Sequence, residues 1–137
     1  MIETAIRDLL RSNAPLMALL SNSANRVDLL DVGQNTPAPY LTFNADSTVQ
    51  AGRPNLCNPA SLGLLRTELL ITPWAKTAPE VAALNAAARA ALVSAQPRTV
   101  AGVTMQSIAF SQFGPWAREP ETNLLTRGQV FLIAHTE

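Results

Sequence analysis

The chain has 137 residues, with ten Lys and Arg against ten Asp and Glu, so its formal net charge is zero. Hydrophobic residues make up 47% and charged residues 15%, the reverse of the balance that keeps a chain disordered. The length suits one domain. No basic excess is present to meet phosphates, which argues against direct DNA or RNA recognition, and a neutral surface does little to keep copies apart.

Residues 2–12 read as an amphipathic helix, with Ile2, Ile6, Leu9 and Leu10 at helical spacing among Glu3, Arg7, Asp8 and Arg11. Pro15 breaks that ladder and suits the first turn of a second short helix carrying Leu16, Met17, Leu19 and Leu20. The result is a bent helical arm that ends at Ser21-Asn22-Ser23. Residues 26–32 are a short strand and 33–39 a loop marked by Asn35, Pro37 and Pro39. Residues 40–45 form a second strand, with Leu41, Phe43 and Ala45 on one face and Tyr40, Thr42 and Asn44 on the other.

Residues 46–63 are dense in Gly, Pro, Asn and Ser and are expected to be a long irregular loop. Residues 64–75 are a strand with Leu65, Thr67, Leu69 and Ile71 facing one way and Arg66, Glu68, Leu70 and Trp74 the other. Pro73 marks an edge, a bulge or the strand end. Thr77-Ala78-Pro79-Glu80 reads as a capping box for an alanine-rich helix to about Ala95, striped by Val81, Leu84, Ala88 and Leu92. Pro97 ends it. Residues 103–113 are a strand, 114–120 a break that holds Trp116 in a loop, and 124–136 the last strand.

In that last strand, residues 130–134 are apolar without alternation, which calls for cover on both faces, one of them from a partner subunit. The expected fold is α+β: a mostly antiparallel sheet of four to five strands, packed by an N-terminal helix and one long alanine-rich helix. Residues 1–137 are expected to form a single domain. Its core is expected from Ile6, Leu9, Leu10, Leu41, Phe43, Leu69, Ile71, Val81, Leu84, Leu92, Phe131 and Ile133.

Chemistry-bearing patterns are scarce. The lone Cys57 can form no internal disulfide, and the lone His135 lies close to the end, where chains tend to fray. Two such residues fall short of a structural zinc site. No phosphate-cradling glycine loop, nucleophile elbow or paired-histidine metal motif occurs. Glu119 and Glu121 flank a proline in a polar stretch and read as a solvated turn rather than as a catalytic pair. No catalytic residue, cofactor or metal is therefore expected. Neither a signal peptide nor a membrane span is read, so the protein is expected to be made and kept in a cytoplasm, with no membrane partner. The residues suited to a subunit interface are Trp116, Arg127 and Arg53, since Trp and Arg dominate contact hot spots. Trp74, which closes a strand ahead of the long helix, is expected in the core.

Several local sequences resemble one family. They are Asn13-Ala14-Pro15-Leu16-Met17-Ala18-Leu19-Leu20, Arg26-Val27, and Thr36-Pro37-Ala38-Pro39-Tyr40-Leu41-Thr42-Phe43. The strongest is Arg66-Thr67-Glu68-Leu69-Leu70-Ile71-Thr72-Pro73-Trp74-Ala75-Lys76-Thr77 leading into the helix with Ala88-Arg89-Ala90-Ala91-Leu92, and Leu124-Leu125-Thr126-Arg127-Gly128-Gln129-Val130-Phe131-Leu132-Ile133 closes the series. Together and in this order they resemble the tail terminator, or tail completion, proteins of long-tailed bacteriophages, which carry the domain of unknown function 3168. The resemblance implies a structural virion protein, assembled in the bacterial host cytoplasm and located at the neck of the tail. It implies a homo-oligomer, a hexameric ring that stops polymerisation of the tail tube and forms the tail side of the head–tail joint. The implied partners are the tail tube protein and a head–tail connector or stopper protein, with DNA passing through the lumen without sequence-specific binding. The alternatives are another neck component, such as a head completion or stopper protein, and a small-molecule-binding or enzymatic α+β domain.

Overall fold

A computed structural model describes residues 2–21, 26–29, 38–50, 65–93 and 98–136. The elements are α1 (Ile2–Arg11), α2 (Ala14–Leu19), β1 (Val27–Leu29), β2 (Tyr40–Gln50), β3 (Leu65–Ala75), α3 (Ala78–Val93), β4 (Arg98–Val100), β5 (Val103–Arg118) and β6 (Leu125–Thr136). The fold is α+β. A six-stranded sheet runs β1-β2-β3-β6-β5-β4. Its β1–β2 pair is parallel and the others are antiparallel.

The strand beyond the expected number is β4. Ala101 (φ 49) and Gly102 (φ 80) join it to β5 in a two-residue turn. Positive φ at both positions is the geometry that matches strand twist. The usual Asn-Gly signal is replaced by Ala-Gly, so the hairpin is easily missed in the sequence.

The helices lie on one face of the sheet, and the expected core residues all sit between the two layers, from Ile6, Leu9 and Leu10 to Phe131 and Ile133. The predicted bend between the first helices is present. Asn13 caps α2, its Oδ1 accepting from the Leu16 N–H at 3.0 Å, with Pro15 in the first turn. At α3 the capping-box side chains bond each other instead: Thr77 Oγ1 donates to Glu80 Oε1 at 2.9 Å.

Four expectations change. First, residues 46–50 belong to β2, so the irregular loop cannot begin at 46; residues 51–63, with Arg53 and Cys57, lie outside the described residues, as do Leu30, Val32 and the helix end at 94–95. Second, Pro73 is inside a central strand. The β3–β6 register passes from Ile71↔Gln129 to Trp74↔Thr126, skipping the prolyl position, where no amide proton is available. Third, Trp74 is half-buried on the sheet face away from the helices, stacked on Tyr40 at 6.2 Å, because residues 71, 73 and 75 take the core side. Fourth, His135 does not fray. It is fully buried in β6, with Nε2 2.7 Å from Thr67 Oγ1.

Candidate functional site

Strand β5 runs through the break expected at 114–120 and ends only at Arg118. Beyond Met105 no described residue pairs with its outer side, so it is an edge strand there among the described residues, where a proline costs no ladder bond. A register shift between Phe113 and Trp116 absorbs Gly114-Pro115 as a bulge. The consequence is an arm at the sheet edge: among the described residues β5 pairs here with β6 alone, β6 stays paired to β3 as far as Leu125, and the residues from Ser111 to Asn123 are almost all exposed.

This placement corrects the expected position of Trp116, which is in a strand and not in a loop. It stands directly opposite Arg127, the ladder pair being Trp116↔Arg127. Two of the three interface candidates are thus brought together. The Arg127 guanidinium lies 5.5 Å from the Trp116 ring and 4.3 Å from Phe113, and its Nε donates to the Gly114 carbonyl at 3.2 Å. Arg89, from α3, covers Phe113 at 5.4 Å and Phe110 at 4.7 Å. Phe110 in turn meets Phe131 edge-on at 5.9 Å, so the series continues into the core. Each cation–ring contact at a partly wet site contributes about 0.5–1 kcal/mol.

A cleft of about 160 Å³ opens here, lined by Ala82, Asn85, Arg89, Phe113, Trp116 and Arg127. Its floor is fixed by a polar clasp between α3 and β6. Buried Asn85 Nδ2 donates to the Arg127 carbonyl at 2.9 Å, and buried Gln129 Nε2 donates to the Asn85 carbonyl at 2.9 Å. Sequence reasoning missed Arg89, Phe113 and the clasp. The available signal was an arginine and an asparagine four residues apart on an otherwise alanine-rich helix.

The second candidate surface is the sheet face away from the helices. Leu70 pairs with Val130 and Glu68 with Leu132 across β3 and β6. Leu70 and Leu132 remain 40% and 41% exposed. The apolar run at 130–134 is therefore covered on one face only, by Phe131 and Ile133 turning to the core.

A cleft of about 300 Å³ between α2 and α3 is lined by Leu19, Pro39, Pro79, Glu80, Ala83 and Leu84, with a single polar side chain that Thr77 already engages. Among the described residues no group of three metal-ligating side chains occurs. No helix there is long and apolar enough to cross a membrane.

Comparison with known proteins gives the family and the fold. The family model "Tail completion protein gp17" matches residues 4–137. A chain from the "Virion of native gene transfer agent (GTA) particle" superposes with a TM-score of 0.72 at 16% identity, covering 99% of this chain and 95% of that one. At that identity the likeness is one of fold. No curated protein sequence matches the chain.

Proposed function

We propose the function from this premise: the chain belongs to the tail completion protein gp17 family, and is a structural, tail-associated phage protein rather than an enzyme. The finer reading is a homo-hexameric ring, each copy a single domain, that caps the tail tube, ends its polymerisation and forms the tail side of the head–tail joint. Its partners are the tail tube protein and a connector or stopper protein, with DNA passing through the lumen. The neck of the virion is its place, reached by assembly in the host cytoplasm.

The observation that carries this reading is the family match over nearly the whole length. The surfaces support it. A ring needs two different patches that meet around a closing rotation, and the molecule offers two: the arm with its arginine–aromatic cleft, and the open sheet face with Leu70 and Leu132. Zero net charge removes a long-range repulsion among copies.

Light scattering coupled to size-exclusion chromatography, followed by negative-stain imaging, tests the ring. Deleting the gene from its phage tests the role: tails of abnormal length that do not join heads are expected. Normal tails joined to heads would overturn it. Tails of normal length that fail only in joining would point to another neck component.

A further inference from the structure

The cleft beneath the arm carries charge of one sign. Arg89 and Arg127 share the Phe113 ring, at 5.4 and 4.3 Å. A guanidinium laid over an aromatic face keeps its in-plane donors for a planar acceptor such as a carboxylate. Among the described residues neither arginine has one. Among the described residues the ion pairs are Arg7–Asp28 and Arg11–Asp28, and Arg89 Nε is buried without an acceptor. The cleft's volume of about 160 Å³ suits one carboxylate side chain and falls below the range of small-molecule sites, which begins at about 300 Å³.

An unengaged carboxylate stands at the other end of the same arm. The apex is closed by its own backbone: the Glu119 N–H donates to the Leu124 carbonyl at 2.9 Å and the Asn123 N–H to the Glu119 carbonyl at 2.8 Å. Thr122 Oγ1 donates to Glu119 Oε2 at 2.7 Å, and Arg118 Nη1 reaches both Asn123 oxygens at 3.0 Å. Asn123 adopts φ 59, a left-handed position that asparagine tolerates. These bonds occupy Glu119 and leave Glu121 exposed. The ladder pairs Ala117↔Thr126 and Arg118↔Leu125 stand between the apex and the Trp116↔Arg127 pair, and among the described residues Glu121 has no ion pair.

We propose that the arm is an intersubunit clasp, in which the Glu121 carboxylate of one copy seats between Arg89 and Arg127 of the next. This rests on the ring reading and supplies its heterologous contact: apex and cleft are different patches, so each copy gives one and receives one.

Size-exclusion chromatography with light scattering on the full chain tests it. The unaltered protein is expected to run as a ring. Glu121→Lys and Arg89→Glu are each expected to run as single chains with unchanged circular dichroism. Arg89→Glu sets a carboxylate beside Arg127 of the same copy and fills the cleft from within. An equimolar mixture of the two variants retains one competent apex and one competent cleft, and is expected to give two-chain species without rings. Rings formed by Glu121→Lys protein, or a mixture that stays at one chain while the unaltered protein forms rings, would overturn the clasp and leave the ring reading standing. Unaltered protein that remains a single chain at every concentration would overturn the ring reading and the clasp with it.

Discussion

Phe131 and Leu132 are adjacent on β6, and the strand period sends them to opposite fates. Phe131 is fully buried, edge-on to Phe110, whereas Leu132 is 41% exposed. Phe131→Ala should cost about 3–5 kcal/mol, because the ring's burial is lost and a cavity remains. Leu132→Lys should leave stability within about 0.5 kcal/mol, since the new ammonium faces Glu68 across the ladder. Urea titration of both variants checks the pair; equal losses would mean that β6 is out of register. Asn85 belongs to the same scale. Its amide satisfies the Arg127 carbonyl from a nearly dry site, so Asn85→Ala should destabilise by about 1–3 kcal/mol. Thermal unfolding reads that loss.

Among the elements, the helices follow local rules closely. Pro15 marked the first turn of α2, and the structure adds Asn13 as its cap, Oδ1 accepting from the Leu16 amide; Asn13→Ala should cost about 1 kcal/mol, measurable by denaturant midpoint. The strands obey neighbours more than composition. Gly114-Pro115 has every local mark of a turn, yet β5 passes through it because it is an unpaired edge there and a bulge takes up the irregularity. Pro73 sits in a central strand for a related reason: the ladder toward β6 is open at that position. The short β4 escaped notice because a three-residue strand has no period to detect and its turn begins with alanine.

For the molecule as an assembly, charge neutrality and the open sheet face set the expectation of self-association. Trp116 is 46% exposed on the arm, so its truncation should leave the monomer folded while removing contact area. Replacing such an aromatic anchor typically costs about 2 kcal/mol or more per contact, and the loss repeats at every interface of a ring. On the proposed ring reading, Trp116→Ala should therefore shift the assembly to smaller species in light scattering, while the loss of its contact with Arg127 lowers the stability of the single chain by no more than about 1 kcal/mol. In the phage the same change should give tails of abnormal length or tails that fail to join heads.

The α+β class, the long helix and the core residues from Ile6 to Ile133 were readable from residue order, because periodicity and capping act over a few neighbours and leave their mark in the local sequence; the family came from the resemblance of whole sequence runs. Trp116 and Arg127 were also named from residue type, but their pairing was not. It depends on a ladder that joins residues eleven apart, around an apex that looked like an ordinary polar turn. Arg89 comes from a different element altogether, set over Phe113 only because Asn85 and Gln129 lock α3 to β6. Contacts between distant segments are decided by which surfaces the packed layers bring together, and no local pattern encodes that.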